Sequence, residues 1–164
     1  MLDQPVIIKQ LSDWIINFLE KPNVTLNNWP PCPYARQARI YNKIEIIFTE
    51  ASGIESAVNE SLSVFDKMEI AVICFDHKDI APAILQELAI RLNKELMPKD
   101  FVILEDHPDI VENINGVHMN FGPCGLILVA PLSILNAASD KIASTGYYDT
   151  WTQSDIDDIV TWRK

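Results

Sequence analysis

Apolar residues recur at helical spacing from Val6 to Leu19, where Ile7, Ile8, Leu11, Trp14, Ile15, Phe18 and Leu19 form one stripe before Lys21-Pro22 stops it. The pattern predicts a first helix. Residues 22 to 32 are rich in Asn and Pro and read as an irregular connection, followed by a short helix that Cys32 would cap and that runs to about Tyr41. Ile44 to Thr49 is β-rich, and residues 52 to 65 return to helical spacing through Ile54, Ala57, Val58, Leu62 and Phe65. Ile70 to Phe75 is apolar on consecutive residues, the pattern of a strand covered on both faces. A helix is expected from Asp79, with Pro82 in its first turn and Ile80, Ile84, Leu88, Leu92 and Leu96 along it, until Met97-Pro98 ends it. Phe101 to Leu104 reads as a third strand.

Strands alternating with helices through short links imply right-handed crossovers and a three-stranded parallel unit. Val117 to Phe121 and Gly125 to Ala130, around Gly122-Pro123-Cys124, read as a C-terminal hairpin extending that unit. Pro131 opens a helix carrying Leu132, Leu135, Ala138 and Ile142, and a last helix spans Ser154 to Trp162, with Thr152 and Asp155 as a capping pair. The expected architecture is one α/β domain over residues 1 to 164, with helices on both faces of the sheet.

Composition narrows the setting. A length of 164 residues with 48% hydrophobic and 22% charged side chains suits one domain with its own core. The apolar runs are shorter than a membrane span, and Met1-Leu2-Asp3-Gln4-Pro5 lacks a basic region ahead of an apolar block, so a cytoplasmic protein with no membrane partner is expected. Three widely spaced cysteines, Cys32, Cys74 and Cys124, make neither a disulfide framework nor a zinc ribbon. A net charge of −10 argues against nucleic acid, whose backbone needs a basic face.

The candidate chemistry begins at Cys32-Pro33-Tyr34, placed between Trp29-Pro30-Pro31 and Ala35-Arg36-Gln37-Ala38-Arg39. A thiol at a helix start meets free amides and the positive dipole end, which favour the thiolate, and Arg36 one turn on would anchor a small anionic molecule. Cys32 is therefore expected to react faster than Cys74, which falls within an apolar strand. The alternative for Cys32 is a small buried packing residue. Cys-Pro-Tyr is similar to the start of the glutaredoxin active site, yet Ala35 stands where the second cysteine would be.

A second cluster falls at strand ends, where open α/β sheets collect ligands. Asp76-His77 follows one strand, Asp106-His107-Pro108-Asp109 another, and His118 lies a loop further on. Pro108 holds His107 extended, and Asp109 would orient its imidazole as a general base; a structural turn would need the same residues. Two imidazoles, a carboxylate and Cys32 would also suit a transition metal, although no local ligand spacing supports one.

The Trp14 helix, Cys32-Pro33-Tyr34-Ala35 and His107-Pro108-Asp109 together resemble an uncharacterised bacterial family, domain of unknown function 1415, over most of residues 10 to 135. The chain departs from it at Pro31 and at Ile110-Val111-Glu112. The resemblance implies that Cys32 and His107 belong to one site; it implies no reaction.

These readings lead to a small-molecule site with Cys32 as nucleophile or redox thiol, His107 as base, Asp109 as orienting carboxylate, and Arg36, Tyr34 and Trp29 as substrate contacts. The competing reading is a non-catalytic binding or assembly module using Trp29, Tyr34, Tyr147 and Trp151. A metal-dependent enzyme is the third. The cofactor, the oligomeric state and the substrate are not specified by any of these patterns.

Overall fold

Four strands form one mixed sheet in the order β1-β2-β6-β3: β1 (Ile44–Phe48), β2 (Ile70–Phe75), β3 (Phe101–Asp106) and β6 (Gly125–Pro131). A computed structural model describes all 164 residues. β1 and β2 are parallel, as the intervening helix α3 (Ile54–Ser61) dictates. β6 then enters antiparallel to both β2 and β3.

The α/β class and the helices on both faces agree with the sequence pattern, whereas the strand order corrects it. The third strand points the same way as β2 but lies beyond β6, at the edge. Side chains explain the exchange. Leu126, Ile127 and Val129 are fully buried and fit an interior strand, while β3 ends in the half-buried Glu105 and Asp106. The outer edge of β3 is closed by a buried side chain: Asn93 accepts from the Ile103 N–H at 2.8 Å and donates to the Ile103 carbonyl at 3.0 Å.

The expected hairpin between residues 117–121 and 125–130 is also replaced. A two-residue ladder joins β4 (Asn113–Ile114) to β5 (Val117–His118) across Asn115-Gly116, whose φ values of 50° and 83° are those of a tight hairpin turn. The chain then runs through Gly122-Pro123-Cys124 into β6. At Gly125 a Cβ would meet the Phe75 ring at 2.2 Å, so only glycine allows that ring to lie against β6.

Strand alternation sorts the sheet into two faces. Ala71, Ile73, Phe75, Ile103, Ile127 and Val129 face α3 and the long helix α4 (Pro82–Leu96), whose Leu85, Ala89, Leu92 and Leu96 complete a closed core. Val72, Cys74 and Leu126 face the other way, toward α1 (Gln4–Trp14) and α2 (Ala35–Ile40). The first helix does not remain α-helical to Leu19; Ile15–Leu19 is a π turn, tied to the next segment by the Cys32 N–H donating to the Leu19 carbonyl at 3.0 Å. Arg39 clamps Glu20 at 2.5 and 2.9 Å and fixes α2 beside this turn.

Helix α5 (Leu132–Ala143) follows β6 directly and covers the second face. Its start is pinned because Asp100 accepts from the backbone N–H groups of Leu132 and Ser133 at 2.8 Å each. The chain ends in α6 (Gln153–Ile159), where the Thr152–Asp155 capping box is fully formed, and a short turn at Thr161–Arg163. No helix is long and apolar enough to cross a membrane.

Candidate functional site

The second face of the sheet is not filled. A cavity of about 880 Å³ lies between Val72, Leu104, Leu126 and Leu128 on the sheet and Leu135 and Ala138 on α5. The π turn and the segment Pro31–Tyr34 form one wall, Tyr147, Tyr148 and Trp151 another, and Arg163 a third. Most of the lining is apolar. Sealed and empty, an apolar void of 880 Å³ would cost about 20 kcal/mol at roughly 24 cal/mol per Å³, more than the whole stability of a typical domain, roughly 5–15 kcal/mol. The space is one for solvent or a ligand.

Cys32 stands in this wall, and its environment differs from the helix-cap expectation. The N-cap of α2 is Tyr34, two residues on. Backbone N–H groups of Tyr34 and Ala35 do favour the thiolate, but burial outweighs them and pushes the Cys32 thiol up from its ordinary value. The residue is half-buried while its sulfur is enclosed. Tyr34 beside it donates to the Ala138 carbonyl at 2.8 Å, which bridges the Cys32 segment to α5. Burial, with Tyr148 and Cys32 nearby, pushes the Tyr34 phenol up to about 12. Tyr147 is held by a 2.8 Å bond to the Pro31 carbonyl and stacks edge-on against Trp29 with centroids 5.6 Å apart.

Of the residues expected to form one site, only Cys32 and Tyr34 line the cavity; Trp29, Arg36, His107 and Asp109 do not. Arg36 is exposed on the outer side of α2, with Gln37, Ile40 and Tyr41 about it. Trp29 supports Tyr147 from behind. His107 is 1% exposed, and its hydrogen bonds engage it with the backbone. Nε2 lies 3.1 Å from the carbonyls of both His77 and Ile80, so it must carry the hydrogen and donate. Nδ1 accepts from the Asp109 N–H at 3.1 Å. Both ring nitrogens are thus engaged by backbone, and the tautomer is fixed.

Asp109 orients the imidazole through its N–H rather than its carboxylate, which is 3.9 Å from Nδ1 on a 70% exposed side chain. The His-Pro-Asp sequence is a turn that ties the end of β3 to the segment before α4. His77 does meet His107, ring edge to face at 5.7 Å, but no group of three or more His, Cys, Asp or Glu side chains is placed to hold a metal ion. Cys74 and Cys124 are buried and free.

Two parts of the cavity wall escaped sequence reasoning, apart from Asp106, which belongs to the Asp106-His107-Pro108-Asp109 cluster read from the sequence. Glu105, Asp106 and Glu112 lie where β3 ends. Asp106 accepts from the Asn120 side chain at 2.7 Å and the Phe121 N–H at 2.8 Å, so its charge is spent on the loop. Glu112 is an exposed residue, yet desolvation of its carboxyl and the neighbouring Asp106 and Glu105 push it up to about 7. The other part is Arg163, 4% exposed among α5 residues. Its one sequence signal is a cation directly after the mainly apolar Ile159-Val160-Thr161-Trp162 run. Comparison of the chain with protein-family models, with curated proteins and with solved structures returned no match.

Proposed function

We propose that this chain is a non-catalytic small-molecule-binding protein that holds a largely apolar ligand between α5 and the sheet. The observation that carries the reading is the 880 Å³ apolar space, within the range of small-ligand sites, roughly 300–1,000 Å³. Fixed walls add support. Tyr34 and Tyr147 bond backbone carbonyls of α5 and of Pro31, so the site is held open without a ligand in place. The thiol-enzyme reading is set aside because the groups acting on the Cys32 sulfur are the Tyr34 and Ala35 backbone rather than a basic side chain, and burial disfavours its thiolate.

The test is a fluorescence titration with N-phenyl-1-naphthylamine, a neutral apolar probe. Saturable enhancement at one site is expected, weakened at least tenfold by Ala138→Phe, which fills the cavity while leaving the backbone carbonyl that receives Tyr34. Absence of saturable binding, or binding indifferent to Ala138→Phe in a folded variant, would refute it.

A further inference from the structure

We propose that the ligand of this cavity is an anionic amphiphile, an apolar chain ending in a carboxylate, whose head group is received by Arg163 and the indole N–H of Trp151. The inference rests on the reading that the cavity binds a small apolar molecule.

Arg163 is a buried cation without a counter-ion. Its guanidinium donates to Ser139 Oγ at 2.8 Å, to the Ile159 carbonyl at 3.1 Å, and to Asn136 Oδ1, all uncharged acceptors. The other arginines are treated differently. Arg39 and Arg91 pair with Glu20 and Glu55, and Arg36 is exposed. Asp140, the acidic group felt by Arg163, is paired instead with Lys164. A charge removed from water is ordinarily matched by an opposite charge, because an unmatched one is strongly unfavourable. With five N–H groups and three bonds made, one hydrogen on each terminal nitrogen remains, the fork that suits a carboxylate.

Trp151 supplies an independent sign at the same cavity. Its Nε1 is buried and has no hydrogen-bond partner. Indole can only donate, so a satisfying partner must accept. Tyr148 packs edge-on against Trp151, with centroids 5.0 Å apart, and its phenol lies within electrostatic reach of Arg163. An unmatched cation and an unmatched donor thus both neighbour Tyr148 in the lining of one cavity, and a carboxylate is the group that answers both.

Besides Arg163, the charged residues of the lining are Glu69, Lys94, Glu105, Asp106, Glu112, Asp157 and Asp158. Arg163 bonds the first two turns of α5, which begins beside Phe101 at the start of β3, whereas Glu105, Asp106 and Glu112 gather where β3 ends. The apolar chain would lie along Leu104, Leu128 and Leu135 between them. A cationic head near Glu112 is the competing arrangement. In a chain of net charge −10, preference for an anion requires a local cation, so head-group order is a demanding test.

Dodecanoate, dodecan-1-ol and dodecylamine are compared at pH 8 as competitors of bound N-phenyl-1-naphthylamine. Dodecanoate is expected to displace the probe at about tenfold lower concentration than dodecan-1-ol, with dodecylamine weakest. Trp151→Phe should cut that advantage severalfold and Arg163→Gln should abolish it, each read as the ratio of dodecanoate to dodecan-1-ol against that variant's own probe affinity. Equal competition by the alcohol, stronger competition by the amine, or an advantage that survives both substitutions overturns the anionic head group while leaving the apolar cavity standing. If the probe itself does not bind wild-type protein, the cavity reading fails and this inference with it. Should Arg163→Gln not fold, the wild-type order and Trp151→Phe decide the matter.

Discussion

The two faces of one sheet are covered in opposite ways. On the first, α3 and α4 present Ile54, Val58, Leu85, Leu92 and Leu96 to Ile73, Phe75, Ile103 and Ile127, and these side chains are at most 2% exposed. On the second, Leu104 and Leu128 of the same strands are only half-buried, because α5 offers Leu135, Ala138 and Ser139 across an open space. Identical strands serve both faces, so the difference lies in the covering helices. Leucines at three inward positions of α4, Leu85, Leu92 and Leu96, close a core; smaller and polar residues on α5 leave room. The first face is closed throughout, whereas the second is closed under α1 and α2 and open under α5.

Paired substitutions across the sheet give the largest expected contrast. Leu92→Ala, on the closed face, should lower unfolding free energy by about 2–5 kcal/mol in urea denaturation, the range for a fully buried leucine. Leu128→Ala, on the cavity face, should lose less than half as much. Similar losses at both positions would mean that the second face is packed after all.

His107→Ala should cost about 1–3 kcal/mol, since it strips the His77 and Ile80 carbonyls and the Asp109 N–H of their shared partner. N-phenyl-1-naphthylamine affinity should stay unchanged, because His107 lies outside the cavity. A drop in affinity without a drop in stability would return His107 to the site. Enlarging an alanine should divide the faces in a third way. Ala71→Leu overpacks the closed core and should destabilise by about 1–3 kcal/mol, whereas Ala138→Leu enters open space and should be neutral or slightly stabilising in thermal melts.

The smallest effect concerns pH. Glu112 is raised from the usual 4.5 to about 7 in the folded chain, so the native state holds a proton between those values that the unfolded state has lost. Its contribution is therefore fully present below pH 4.5 and is lost as pH rises through about 7. Glu112→Gln should flatten this part of the profile, with the variant melting higher than wild type at pH 8 and close to it at pH 5. A parallel pair of profiles would place the Glu112 carboxyl in water.

Elements with strong local patterns were legible before any coordinates. The apolar run of β2, the repeat along α4 and the Thr152–Asp155 cap each depend on residues close in sequence. Strand order depended on pairing between distant residues. Gly125 to Ala130 has the same unbroken apolar pattern as β2 and belongs in the interior for the same reason, yet its place between β2 and β3 follows from Asp100 gripping the start of α5, which no local pattern shows. At the site, Cys32 and Tyr34 are legible through a thiol expected at a helix start, although the helix is capped at Tyr34 and its first residue is Ala35. His107 misled because an Asp-His-Pro-Asp sequence fits a catalytic base and a turn equally well, and only its two carbonyl partners separate them. The cavity left almost no trace, since it arises from side chains too short to meet across a gap.

Protection of Cys32 by ligand tests the central claim most directly. Its sulfur lies in the cavity wall, while Cys74 and Cys124 are buried and 0% exposed. Alkylation by iodoacetamide at pH 8.5 should be slow at Cys32 and slower still at the other two, and saturating N-phenyl-1-naphthylamine should reduce the Cys32 rate at least fivefold without changing protein stability enough to explain it. An unchanged Cys32 rate with the probe bound would place the ligand elsewhere and contradict a binding cavity beneath α5.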